Sequence, residues 1–448
     1  MQARMSRRGF LQVTGGVSLS TVFAGCFGVG GSSSGGGGGG SGQSSTSAIT
    51  VWDIRTGKEQ QLIQDVTSKF NAQHSNIRAS LEFFQADAYK QKIQVAMGAH
   101  HPPDIFFGWG GGILKSYVDA GDVYDMTSTL NADATWKNRY LPSVMQAATF
   151  GGKVYGVPNS GVQPVVFLYN KDLFEKYKIT PPQTWSELLN VVGKLKQNNV
   201  QPIALAGLEK WPYLMYEEYL VDRIGGPSAL EAAATSQASA WSNPAFIKAN
   251  TMIQELVSAG AFGSNYASVS YNSGQGSALL YTGKAAMHLM GVWDFSQILS
   301  NSATFIQSGK LGWFPFPAVE GGAGNATNLA GNLCNFYSIT TASKNPQSCL
   351  SYLKDGILNE DDVNQLITLG DVPPVQGIDA KLSSAQHSDW LQFIYKSVQG
   401  ANHYQLSWDQ ALPPQPAQAL LTNLDLLFLK QISPQQFSDN MNKTITAK

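Results

Sequence analysis

The sequence predicts an α/β protein in which short apolar strands alternate with amphipathic helices, the grammar of a parallel sheet covered by helices. Three observations carry this. Apolar residues recur at helical spacing between short apolar runs. The alternation starts at Ile49 and starts again after Tyr155. The chain has 448 residues, 43% of them hydrophobic, which is enough to fill about two to three domain cores.

Residues 1–25 stand outside that fold. Arg4, Arg7 and Arg8 precede a small and apolar stretch from Phe10 to Ala24, and no acidic residue comes before Asp53. This is export-signal architecture, too short and too weakly apolar for a membrane span. Ser6-Arg7-Arg8-Gly9-Phe10-Leu11 resembles a twin-arginine signal, and Val22-Phe23-Ala24-Gly25-Cys26 resembles a lipobox, with Cys26 as the residue to be lipidated. Residues 26–48 continue as a tether: 10 glycines and 7 serines fall between Phe27 and Ala48. Such a composition cannot order itself, and its reach is roughly 26 Å. Cleavage removes three arginines and so takes the net charge from -1 to -4.

The globular elements follow. Ile49 to Trp52 is a strand; Leu62, Ile63, Val66 and Phe70 mark a helix; Ile77 to Phe84 is extended. Tyr89, Ile93 and Met97 mark a second helix, and Pro102-Pro103-Asp104 opens a strand at Ile105 to Phe107. Val165 to Tyr169 is the next strand, followed by a capping box at Thr184-Trp185-Ser186-Glu187. Pro202 to Leu205 is another strand, and Asn243-Pro244 opens a helix through Phe246, Ile253 and Leu256. Leu420, Leu424 and Leu427 form one stripe; Ser433-Pro434 caps a last helix over Phe437, Met441 and Ile445.

Several chemistries are excluded. No His-Glu-x-x-His, Cys-x-x-Cys, Gly-x-Ser-x-Gly or strand-borne Gly-x-Gly-x-x-Gly occurs. Gly283-Lys284 lacks the hydroxyl of a phosphate loop, His100-His101 lies in a loop without metal partners, and Glu217-Glu218 point to different helix faces. With 30 basic and 31 acidic residues there is no electrostatic footprint for nucleic acid. No enzyme activity, cofactor or metal is expected. Cys334 and Cys349 are left either bridged or as two buried thiols. The low charge, 14% against about 25% in ordinary domains, suggests acidic surroundings, where few titrating groups keep stability level.

Tryptophan is what remains. All 10 follow residue 48. A sugar presents an apolar C–H face and an edge of hydroxyls, so its receptor is an aromatic plate rimmed by amides and carboxylates. Trp52-Asp53, Trp293-Asp294 and Trp408-Asp409 place both parts side by side, while Trp109, Trp211 and Trp313 also stand after strands or in loops. Trp136, Trp185 and Trp241 read as core anchors.

An ordered series of motifs then resembles one family over nearly all of residues 49–448: the extracellular solute-binding proteins of ABC importers, of the maltose-binding type. The series is Ile49-Thr50-Val51-Trp52, Pro103-Asp104-Ile105-Phe106, Gly156-Val157-Pro158, Leu168-Tyr169-Asn170-Lys171-Asp172-Leu173-Phe174 and Pro182-Gln183-Thr184-Trp185-Ser186-Glu187-Leu188. It continues through Gly283-Lys284-Ala285-Ala286-Met287, Gly291-Val292-Trp293-Asp294, Ser343-Lys344-Asn345-Pro346 and Val372-Pro373-Pro374.

The resemblance implies a two-lobed periplasmic-binding-protein fold of type II, with the ligand in the interlobe cleft and three crossings, near Asn159 to Pro164, Val319 to Thr327 and Asp371 to Val375. Lobe one would comprise 49–160 plus 326–370, and lobe two 161–325 plus 371–448. Trp52, Asp53 and Trp109 would face the cleft from the first lobe, and Trp211, Trp293, Asp294 and Trp408 from the second. Asn332 is added from its Gly-Asn strand start. Asp104, Asn170 and Asp172 read as turns and caps. The implied function is capture of a mono- or oligosaccharide by lobe closure and delivery to a membrane permease, by a monomer held at the cell surface or in the periplasm through lipidated Cys26. A glycerol phosphoester or other polar solute is the alternative ligand, for which only Arg55 lies close to a motif; a surface glycosidase is the remote alternative.

Overall fold

The strand Ser47–Asp53 buries Ile49, Val51 and Asp53 and turns Thr50 and Trp52 to the opposite, half-exposed side, as a two-residue side-chain period requires. In the computed structural model, which describes residues 46–445, this strand pairs in parallel with Ile77–Phe83 and with Ile105–Gly108. Phe336–Ile339 then pairs antiparallel to Ile105–Gly108, and Val157–Pro158 closes the five-stranded sheet. The expected parallel order thus holds for the first three strands, and strands returning from later in the chain make the sheet mixed. The export signal, Cys26 and residues 26–45 of the tether lie outside the described residues.

The second sheet is built on Gln163–Asn170, a strand buried on both faces except at Tyr169. Ala285–Gly291 pairs antiparallel to it and carries Gln201–Ala204 in parallel on its far edge. Leu311–Phe314 and Leu329–Asn332 pair antiparallel with the two ends of the same central strand, and Tyr404–Leu406 completes the edge.

Helices cover these sheets with the predicted stripes. Gly57–Gln73 buries Leu62, Ile63, Val66 and Phe70, and Pro414–Phe428 buries Leu420, Leu424 and Leu427; each such side chain contributes about 1.5–3 kcal/mol. The last helix, Pro434–Asn442, has a reciprocal cap between Ser433 and Gln436. The box at Thr184 is only half made. Thr184 Oγ1 accepts from Glu187 N at 3.3 Å, but the Glu187 carboxylate accepts from Gln183 N instead, one residue upstream of the cap.

The passage at 159–162 joins Val157–Pro158 of the first sheet to Gln163–Asn170 of the second. Asn159 N donates to Asn335 O and Val162 N to Val372 O, both at 2.9 Å, so 159–162 and 372 lie beside the passage between sheets at 333–335. The crossing expected at Val319 to Thr327 is corrected to that later passage, because Leu329–Asn332 still belongs to the second sheet. The glycines that suggested a hinge serve close packing. A Cβ on Gly322 or Gly324 would stand 2.1 or 1.9 Å from the carbonyl oxygens of Arg223 or Asp222, and Arg223 Nη2 donates to Ala326 O and Asn328 O. Val372, Ile378, Leu382 and Trp390 join a core shared by both sheets, with Ile105 and Ile339 of the first and Val166, Leu168 and Leu311 of the second. Trp390 stacks on Phe295 with centroids 4.9 Å apart.

Cys334 and Cys349 are both free and buried, which resolves the open pairing in favour of two thiols. Burial pushes Cys334 well up and Cys349 to about 12, so neither is ionised at neutral pH.

Candidate ligand-binding cleft

Between the two sheets lies a cavity of about 450 Å³, within the ~300–1,000 Å³ typical of small-molecule sites. Trp109 enters it from the first sheet, just past the end of Ile105–Gly108. Its ring rests edge-on against Phe107 at 5.2 Å, and Lys90 Nζ stands 5.3 Å from its centroid. Gly110, Gly111 and Gly112 follow. Added Cβ atoms would come within 2.4–2.6 Å of carbonyl oxygens of Ala147, Gln410 and Ala411, so only glycine lets this turn seat against the cleft wall.

Trp211 and Trp293 enter from the second sheet, each at the start of a helix, Trp211–Gly225 and Asp294–Asn301. Their centroids are 6.2 Å apart, and Tyr271 meets Trp211 edge-on at 5.0 Å, giving one continuous aromatic wall. Trp293 folds back over Gly291, where a Cβ would lie 1.9 Å from the ring. Gln163, Asn332 and Asn335 line the cavity beside Arg55 and Glu59.

The structure therefore brings Trp109, Trp211, Trp293 and Asn332 together and corrects the other four assignments. Trp52 points to the opposite side of its strand, because neighbours on a strand face opposite ways. It packs edge-on against Phe84 at 5.1 Å under Lys92 and lines a separate surface groove with Val95. Asp53 is fully buried and held by Arg55 through Nε and Nη2, with Nη2 to Oδ2 at 2.7 Å, and by the Tyr337 hydroxyl. Burial alone would raise its carboxyl, but the Arg55 charge and these hydrogen bonds hold it below the usual value. Asp294 is also fully buried, accepting from Ser277 Oγ at 2.5 Å and facing His288 Nδ1 at 3.1 Å. It supports the aromatic wall from behind. Trp408 is 1% exposed and packs against Phe246 and Trp241. Its neighbours Asp409 and Gln410 face the cavity instead.

Sequence reasoning missed a set of polar groups that join the walls. Asn272 Nδ2 donates to Asp87 Oδ2 at 2.8 Å, Lys90 Nζ lies 3.3 Å from Asp409 Oδ2, and Ser296 Oγ donates to the Glu59 carboxylate. Burial pushes the Glu59 carboxyl up. These residues have no shared spacing, so no local pattern announces them. The structural readings of Asp104, Asn170 and Asp172 agree with their contacts. Asp104 accepts from Thr50 N at 2.8 Å and from Ser343 Oγ, Asn170 caps the helix Lys171–Lys176, and Asp172 pairs with Lys310. Among the described residues no group of three or more His, Cys, Asp or Glu could hold a metal ion.

Two sheet-based α/β lobes around an aromatic cleft define a periplasmic-binding-protein fold of the maltose-binding kind. Residues 55–351 match the family described as bacterial extracellular solute-binding protein, and the chain belongs to that family. It is a non-enzymatic, exported solute-binding component of an ABC transporter, with permease subunits as partners. An ABC transporter extracellular-binding protein of Pyrococcus horikoshii is 24% identical over 326 residues, covering 71% of this chain and 73% of that protein. The multiple sugar-binding protein of Streptococcus mutans is 26% identical over 314 residues, 64% of this chain and 70% of its own. A solved structure described under xylan utilisation by Caldanaerobius polysaccharolyticus superposes with a TM-score of 0.80 at 29% identity, over 89% of this chain and all of that one. A chitin oligosaccharide binding protein superposes with a TM-score of 0.81 at 22% identity, over 89% of this chain and 98% of that one.

Proposed function

We propose that this protein captures a mono- or oligosaccharide between Trp109 on one lobe and the Trp211–Trp293 wall on the other, closes over it, and presents it to the permease. The observation that carries the reading is that tryptophans from both lobes line one cavity, an arrangement suited to the apolar faces of sugar rings. Relatives point the same way, among them the multiple sugar-binding protein and a melibiose/raffinose/stachyose-binding protein of Bacillus subtilis, 25% identical over 177 residues, or 39% of each chain. A phosphoester ligand would want a free buried cation, and each nitrogen of Arg55 already donates within the protein.

Tryptophan fluorescence titrated with glucose, galactose, maltose, raffinose and xylotriose tests the proposal. Saturable change without turnover is expected, and Trp293→Ala should weaken binding more than tenfold. Silence toward all five sugars with a response to sn-glycerol 3-phosphate would overturn it. The lipid anchor at Cys26 belongs to the same proposal. Cys26→Ser should move the protein from the membrane fraction to the soluble one, and unchanged fractionation would count against lipidation.

A further inference from the structure

At the inner end of the cavity the passages between the sheets lie against each other. Asn159 N donates to Asn335 O at 2.9 Å, and Asn335 N donates back to Ser160 Oγ at 3.3 Å. The backbone thus holds Asn335 in place, while Asn332 is held by strand pairing with Gln163. Both side chains line the cavity, at 7% and 9% exposure. The buried amide oxygens Asn332 Oδ1 and Asn335 Oδ1 have no hydrogen-bond partner in the protein, and behind them both polar atoms of the fully buried Asn159 side chain are likewise unpartnered.

We infer that Asn332 and Asn335 form the specificity floor of the cleft, a subsite that reads adjacent hydroxyls of a neutral ligand. The chemistry selects the class. Each amide offers an acceptor oxygen and a donor NH₂ group, and a hydroxyl can donate to the first and accept from the second. A carboxylate or phosphate dianion only accepts, so it would leave the buried oxygens unpaired. An ammonium group only donates and fails the NH₂ in the same way. The adjacent guanidinium of Arg55 does not alter this selection, since it is bound to Asp53, Tyr337 and the Asn159 carbonyl. Because these two asparagines flank the passage between sheets, hydroxyl binding there fixes the segment about which the lobes rotate. Ligand recognition is thereby tied to closure itself.

This inference rests on the carbohydrate reading and adds the residues that decide which face of the sugar is recognised. The test uses the mature full-length protein, the panel sugar that binds wild type most tightly, and Asn332→Leu and Asn335→Leu, which keep side-chain volume and remove the amide. Calorimetric titration should show affinity at least tenfold weaker in each variant. The melting temperature without sugar should be unchanged or higher, since replacing an unpaired buried polar group by an apolar one of similar shape removes a penalty. Unchanged affinity in both variants would overturn the floor alone. So would a loss of affinity matched by a lowered sugar-free melting temperature, the mark of a purely structural amide. Silence of wild type toward the whole panel would overturn the carbohydrate reading and this inference together.

Discussion

Every nitrogen of the Arg55 guanidinium is engaged inside the protein, to Asp53, Tyr337 and the Asn159 carbonyl. Arg55 therefore acts as the keystone between the first strand and the first crossing. Removing it would leave Asp53 buried beside a tyrosine with no counter-charge. Arg55→Ala should cost about 3–5 kcal/mol in urea unfolding, and a loss below about 1 kcal/mol, as for an exposed pair, would refute this role. At this scale the sequence was readable for residue type and less so for direction. Trp52-Asp53 looked like a plate and its rim, but strand parity sends the two side chains apart. Trp293-Asp294 and Trp408-Asp409 sit at helix starts, where successive residues diverge by roughly 100°. One of each pair reaches the cavity while the other is buried. Composition signals that aromatic and polar groups are present, but only the local backbone decides which of two neighbours faces the ligand.

The helix Ala86–Gly98 is amphipathic in a useful way. Tyr89, Ile93 and Met97 anchor it, while Asp87 and Lys90 reach across the cleft to Asn272 and Asp409. Lys90 also lies over Trp109, so one side chain both fastens the lobes and orients a plate. Lys90 is partly exposed, and its ion pair is screened accordingly. Lys90→Ala should weaken sugar binding by about two- to fivefold in low salt, with a smaller effect at 0.5 M salt. A salt-independent effect would show that packing on Trp109, and not the charge, matters. Such elements were legible from sequence because periodicity repeats over several turns and survives one ambiguous residue. The crossing at 333–335 was not, since the signal sought was loop glycine. Gly322 and Gly324 supplied that signal while serving close packing against a helix end, and the true passage, Leu333-Cys334-Asn335, contains neither glycine nor proline.

The molecule as a whole buries more carboxyl groups than its low charge suggests. Burial pushes Glu217, Glu218 and Asp371 well above the ordinary carboxylate range and Asp362 up to about 6. For each, the neutral form is favoured on folding, so the stabilisation is fully present below the unfolded value of about 4. It is lost as pH rises through the folded value, between about 4 and 6 for Asp362. Asp53 runs the other way: its contribution is present above its unfolded value and is lost as pH falls through the depressed one. The raised groups outnumber it. The melting temperature should therefore rise from pH 8 to pH 5, and Glu218→Gln should flatten that slope. A melting temperature that falls over the same interval would contradict this account. Few titrating groups alone would keep stability level with pH; these buried acids give it a slope instead.

The contacts that bridge the cleft, Asn272 to Asp87, Lys90 to Asp409 and Ser296 to Glu59, join protein groups only. Contacts of this kind, re-formed once the cleft has closed over a solute, would slow its release more than its entry, which is the kinetic form of the affinity loss expected for Lys90→Ala.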